Sequence, residues 1–294
     1  MREILVKSIL NKKKKRDSWF LDDYTLNPYE GCSFNCQYCY IRGSKYGENM
    51  AEGLAVKING REVLDRQLAF RVKKDQYGII ALASATDPYI RAEEQYKMTQ
   101  GFLELILKHR FPVLMITRSE LIVRDLDILK EIDKQAIHAP DLSGRLNRGV
   151  VISFSFSTLD PGIAATLEPG APLPQARLET MKKCKEAGFL VGMNCIPTLP
   201  FISDTDEQLE QMVKAAKAYG ADYILIGGLT LFGSGPADSK MLYRKFLERK
   251  FPELIPEYKK LYRIFYAPPE SYLRDLNERA DRICNRHGIR RSIV

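Results

Sequence analysis

Long apolar runs are missing from this 294-residue sequence. No stretch approaches the roughly 20 residues that cross a bilayer, so no membrane association is expected. The opening "MREILVKSILNKKKKRDSWF" also lacks the apolar core of a secretory signal. With only six cysteines, a disulfide scaffold is excluded as well, and a reducing, cytoplasmic setting is the expectation. Histidine is rarer still: His109, His138 and His287 stand far from one another and from most of the cysteines. Internal repeats and low-complexity linkers are absent. What remains, 45% hydrophobic and 28% charged, is the composition of an ordinary globular chain long enough to bury a sizeable core.

Charge of one sign is in excess, at +8 from 45 Lys and Arg against 37 Asp and Glu. The excess is uneven. Lys12 to Arg16 form one block, and from Lys240 onward 14 basic residues face 7 acidic ones. Such segments attract phosphates, in nucleic acid or in a small molecule, although most charge runs are simply solvated faces.

Strand and helix patterns alternate through most of the chain. The strand patterns are "DYTLN" (23–27), "YGIIALAS" (77–84), "FPVLMIT" (111–117), "GVVISFSF" (149–156), "FLVGMNCI" (189–196) and "ADYILIGGL" (221–229). Amphipathic stretches such as "AEEQYKMTQGFLELILKHR" and "DTDEQLEQMVKAAKAYG" separate them. Near-continuous apolar strands between helices read as a parallel sheet covered on both faces. The predicted fold class is α/β, a partial (β/α)6 barrel of parallel strands with a C-terminal helical extension. Residues 1–22 are expected to form a basic N-terminal segment, 23–231 the barrel and 232–294 the extension. Gly188 and Gly220 mark helix ends. The glycine-bearing segment 41–60 reads as a loop or flap.

One loop carries the chemistry. "NPYEGCSFNCQYCY" (27–40) places Cys32, Cys36 and Cys39 at spacing C-x3-C-x2-C directly after the first strand, at the end of the sheet where such barrels keep their active sites. A zinc site asks for four Cys or His ligands, usually in paired C-x2-C units. A fully ligated electron-transfer cluster asks for a fourth thiolate. Three thiolates leave one iron of a [4Fe–4S] cluster open to another ligand.

That spacing, with Tyr38 and Tyr40 beside the last cysteine, resembles the signature of the radical S-adenosylmethionine superfamily. The resemblance implies that Cys32, Cys36 and Cys39 hold the cluster. It implies further that the open iron binds S-adenosylmethionine and that a reducing partner such as flavodoxin or ferredoxin supplies the electron. The resulting 5′-deoxyadenosyl radical then abstracts hydrogen from a substrate. A closer resemblance covers nearly the whole chain. "LNPYEGCSFNCQYCY", "ATDPY", "ITRSELIVRDLDIL", "SFSTLD", "LEPGAPLPQARLETMKKCKEAGF" and "PTLPFISD" are similar to the spore photoproduct lyase-like group, often labelled DNA repair photolyase. In the lyase the radical reverses a thymine dimer made by ultraviolet light.

Residue by residue, that likeness implies catalytic roles for Tyr38 and Tyr40. It implies cofactor contacts for Tyr38, for Ser84, Thr86 and Asp87 at the end of the second strand, and for Arg118 after the third, where the lyase has a lysine. Ser155, Glu168, Arg177, Pro197 and Leu199 complete the implied cofactor set. The same residues also fit a turn, a cap, a surface arginine or a strand end. One departure stands out: Ser84 occupies the place of the lyase's hydrogen-donating cysteine. Strict lyase activity is therefore not expected. The other cysteines, Cys184, Cys195 and Cys284, read as helix or core residues.

Three functions follow in order of support. The first is radical chemistry on nucleic acid, with Tyr258, Tyr262, Phe265, Tyr266 and Tyr272 as candidate base-stacking groups or, equally, a helix core. The second is the same chemistry on a small molecule or peptide. The third is a non-catalytic iron–sulfur redox or binding protein.

Overall fold

The computed structural model describes residues 1–47, 53–82, 84–263 and 266–294. Part of the predicted flap (48–52) and Phe265 lie outside them. Ten strands are present among the described residues: β1 (Arg2–Ile4), β2 (Leu10–Lys12), β3 (Asp22–Leu26), β4 (Tyr29–Glu30), β5 (Ala55–Lys57), β6 (Ile79–Leu82), β7 (Val113–Thr117), β8 (Val150–Ser155), β9 (Leu190–Cys195) and β10 (Tyr223–Ile226). Six of them, β3 and β6 through β10, lie parallel in the order predicted, with β2 added antiparallel at the β3 edge. This is an α/β fold with the sheet of a partial barrel. Between the strands run α1 (Gly60–Lys73), α2 (Glu93–Tyr96), α3 (Met98–His109), α4 (Leu126–Gln135), α5 (Pro161–Leu167), α6 (Pro174–Glu186) and α7 (Asp206–Ala218). After β10 come α8 (Ser239–Lys250), α9 (Ile255–Leu261) and α10 (Glu270–His287).

The apolar strands are explained by burial on both faces: every residue of β6, β8 and β10 is buried. Side chains alternate across the pleat. On the outer face Val191, Met193 and Cys195 of β9 pack with Met181 and Cys184 of α6, Val213 of α7 and Cys284 of α10. On the inner face Ala81, Leu114, Val151, Tyr223 and Leu225 pack with Trp19, Phe20 and Ile293. Those residues fill the half of the interior nearest the strand starts and leave the other half for a site. Gly192 is needed there, since a Cβ would sit 2.1 Å from the Tyr223 ring. Gly188 and Gly220 close α6 and α7 at positive φ, as expected.

Three features went unread in the sequence. Helix α1 begins where the expected flap 41–60 ends, in a stretch to which the sequence reading gave no element. A second, three-stranded sheet in the order β1-β5-β4 braces the start of that loop. Finally, the chain after α10 returns to the open sheet edge, where the Ile224 amide donates to the Arg290 carbonyl at 2.9 Å. Helices α8 and α9 pack over the cysteine loop rather than beside the barrel. Phe34 and Tyr38 form one apolar cluster with Leu199, Leu229, Tyr243, Phe246, Tyr258 and Tyr262.

Candidate active site

Cys32, Cys36 and Cys39 line one cavity of about 370 Å3 at the carboxyl ends of the parallel strands. Gly31, at φ +75°, turns the chain out of β4 into the loop. Within it the Cys39 amide donates to the Cys36 carbonyl at 3.3 Å. Burial, with Asp87 nearby, pushes the Cys32 thiol up to about 11. Burial raises Cys36 as well, against the pull of Arg118. Metal binding must therefore displace protons from these thiols.

In the same cavity, polar side chains stand level on neighbouring strands. Arg118 follows β7, Ser155 ends β8, and Asn194 on β9 is the register partner of Ser155. Arg118 Nε lies 3.7 Å from Glu168 Oε1, an ion pair, whereas the buried Asn194 Oδ1 has no hydrogen-bond partner. Leaving such an atom unpaired costs free energy, so it marks where a polar group of a ligand fits. Asn194 was missed in the sequence, although a lone polar residue inside "FLVGMNCI" is a readable signal. Arg42 was missed too: its Nε donates to the Cys36 carbonyl at 3.2 Å.

Ser84, Thr86, Asp87, Tyr38, Tyr40 and Pro197 also line the cavity. Tyr40 donates its hydroxyl to the Ser84 carbonyl at 2.5 Å. Thr86 Oγ1 donates to the Gly31 carbonyl at 2.6 Å, tying the end of β6 to the loop. Asp87 accepts from the Tyr89 amide at 2.9 Å, the Thr117 hydroxyl at 2.8 Å and the Arg118 amide at 2.8 Å. Burial still raises its carboxyl above the usual range, against those three bonds.

Glu168, Arg177 and Leu199 do not line the cavity. Leu199 is fully buried in the cluster around Tyr38. Arg177 is 1% exposed and donates to Glu168, to the Ser155 carbonyl at 3.0 Å and to the Pro172 carbonyl at 2.7 Å. Glu168 also accepts from Tyr38 and from the Ser157 hydroxyl at 2.8 Å. Burial works to raise the Glu168 carboxyl, but Arg118 and Arg177 outweigh it and hold the group below its usual value. Breaking one partner of a buried ion pair strands the other charge. Arg177→Met is accordingly expected to lower unfolding stability by about 3–5 kcal/mol, measured by denaturant titration. A loss below about 1 kcal/mol would show the pair to be solvated, as exposed pairs are.

Of the two readings open for the aromatic residues of the extension, the structure favours the core. Tyr258 and Tyr262 share one helix face and are buried, with hydroxyls on the Pro200 carbonyl at 2.6 Å and the Leu229 carbonyl at 2.9 Å. Tyr272 donates to Asp204. Of the set, only Tyr266 is exposed among the described residues, stacked on Phe232 at 4.5 Å. The histidines stay away from the cavity: His109 pairs with Asp65 and His287 with Glu210. Among the described residues no three His, Cys, Asp or Glu side chains close around a single metal ion. A four-iron cube asks something different, since each thiolate reaches its own iron. Three thiols spread along one cavity wall suit that group. No helix among the described residues is long and apolar enough to cross a membrane.

The chain is similar to several known proteins. An uncharacterized protein of Mycobacterium tuberculosis is 32% identical over 94% of this chain and 78% of its own length. The solved structure of spore photoproduct lyase complexed with dinucleoside spore photoproduct matches 92% of this chain and 76% of its own, with a TM-score of 0.63 at 16% identity. Streptococcus suis SuiB bound to precursor peptide SuiA matches 92% of this chain and 47% of its own, with a TM-score of 0.54 at 16% identity. At these identities the two structures share the fold. The family model described as the radical SAM superfamily matches residues 26–216, which hold the cysteine loop and β6 through β9. This chain belongs to the radical SAM superfamily of enzymes.

Proposed function

We propose that the protein binds a [4Fe–4S] cluster through Cys32, Cys36 and Cys39, cleaves S-adenosylmethionine reductively and abstracts hydrogen from a substrate in the same cavity. The observation that carries this is the shared cavity: three thiols line one space of about 370 Å3 together with Arg118, Ser155 and Asn194. When bound, the cluster and S-adenosylmethionine supply an electron and a 5′-deoxyadenosyl radical. The protein's share is positioning and exclusion of water. Arg118, whose guanidinium is always charged, suits the cofactor's carboxylate. Ser155 and the unpaired Asn194 carbonyl oxygen offer partners for ribose hydroxyls, and Ser84, Thr86 and Asp87 line the same cavity as candidates for the cofactor's ammonium group. Tyr40, between the loop and Ser84, stands where a substrate would approach.

Nucleic acid is the substrate class we favour, on the likeness to the photoproduct lyase group and the basic segments. With Tyr258 and Tyr262 buried, base stacking falls to the exposed Tyr266, which stacks on Phe232. The test is anaerobic incubation with reductant, S-adenosylmethionine and deuterated nucleic acid. Deuterium in 5′-deoxyadenosine is the expected result. Deuterium arriving only from a small-molecule or peptide fraction would overturn the substrate class.

A further inference from the structure

The cysteine loop from Gly31 to Gly47 contains no strand or helix, so bonds from outside set its shape. The segment 166–170, the end of α5 and the turn after it, supplies several of them. The Gln37 amide donates to the Leu167 carbonyl at 2.8 Å, and the Gly170 amide donates to the Phe34 carbonyl at 3.0 Å. Gln37 Nε2 donates to the Thr166 carbonyl at 2.9 Å. The two segments press so closely that a Cβ on Gly170 would lie 2.2 Å from the Ser33 carbonyl oxygen.

Glu168 sits in the middle of this clamp, 1% exposed, with both oxygens spent on Tyr38, Ser157 and Arg177. Tyr38 lies between Cys36 and Cys39, so whatever fixes its ring fixes both neighbours. The same phenol oxygen accepts from Arg118 Nη2 at 3.1 Å, and Arg118 lines the cavity. We propose that Glu168 is a positioning residue: through Tyr38 it sets the cysteine loop and Arg118 in place for the cluster and its cofactor. Only a carboxylate serves here. It accepts at both oxygens, whereas an amide would turn a donor toward either Arg177 or the two hydroxyls. A cofactor ligand would need to face the cavity, and Glu168 does not line it.

The inference rests on the cluster reading above, and one experiment separates the two. Wild type, Glu168→Gln, Tyr38→Phe and the double variant are reconstituted anaerobically with iron and sulfide, without S-adenosylmethionine. Chelator stripping and the electron paramagnetic resonance spectrum of the reduced cluster are then recorded. Partners that orient metal ligands typically contribute 10–100-fold in affinity, so each single variant should lose iron to chelator about tenfold faster or more. Each should also show a shifted spectrum, and the double variant should be no worse than Glu168→Gln. Glu168→Gln with a wild-type cluster but a weakened response to S-adenosylmethionine would make Glu168 a cofactor ligand and overturn the proposal. Wild-type behaviour of Tyr38→Phe, which removes only a hydroxyl and keeps the test open if Glu168→Gln misfolds, would overturn the route through Tyr38. A wild type that takes up no iron would instead remove the cluster reading itself.

Discussion

Cys36→Ala should take the protein from about four irons per chain to almost none, because three thiolates are the fewest that hold a cluster of this type. The same is expected of Cys32→Ala and Cys39→Ala, and cofactor cleavage should disappear with the iron. Cys36 is the most buried of the three, beneath the aromatic cluster that α8 and α9 lay over the loop. Replacing it therefore removes a ligand that no neighbour can supply. The control lies on the other face of the sheet. Cys184, Cys195 and Cys284 pack between strands and helices, fully buried. Cys184→Ala and Cys284→Ala should load iron normally, with a modest loss of stability from the small cavity left behind. Iron content and absorbance after anaerobic reconstitution decide the matter. A Cys36→Ala protein that keeps its cluster would refute the assignment, and iron lost equally from Cys184→Ala would point to misfolding.

Little or no repair of the spore photoproduct is expected, even while S-adenosylmethionine is cleaved. Quenching a product radical needs a weak bond to hydrogen, and a thiol has one. At the position that the sequence likeness matches to the lyase's donor, this chain has Ser84, whose hydroxyl O–H is far too strong. A barrier raised by as little as about 5 kcal/mol already slows a step several thousandfold. The structure rules out the obvious substitute. Cys195 ends β9 with its side chain toward α7 and α10, while its neighbour Asn194 faces the cavity. Among the described residues, the thiols lining the cavity are those of the cysteine loop. Ser84→Cys restores a thiol at the rim, beside Tyr40, and should raise repair per cofactor cleaved. The assay counts lesions reverted to adjacent thymines in a defined dithymine substrate against 5′-deoxyadenosine formed. Efficient wild-type repair that survives Cys195→Ala would show this reading of the donor to be wrong.

The parallel strands were legible because burial on both faces writes a plain signature: β6, β8 and β10 are apolar at nearly every position. Helix α1 was not. Only Gly60, Val63, Leu64 and Leu68 of its 14 residues are buried, so its periodicity is faint beside the charged residues around them. The second sheet escaped for another reason. Its strands are two or three residues long and exist through pairing between Arg2–Ile4 and Ala55–Lys57, more than fifty positions apart. In the site, the three cysteines announced themselves by spacing alone. Glu168 and Arg177 gave no such signal. Nine residues apart on either side of a Gly-Ala-Pro turn, they looked like separate polar side chains. Only the packing of α6 under the cysteine loop makes them a buried pair. Tyr258 and Tyr262 carried two meanings in the sequence, and the fold chose the core, where i, i+4 spacing puts both on one face.

The central claim is that three cysteines leave one iron open for S-adenosylmethionine. It is tested most directly by electron–nuclear double resonance on the reduced protein, using cofactor labelled with 15N at the amino group or 17O at the carboxylate. Hyperfine coupling of either label to the cluster is the predicted result, weakened when Arg118 is replaced by Met. A four-iron cluster that forms but couples to neither label would mean a fourth protein ligand closes it, and would contradict the account.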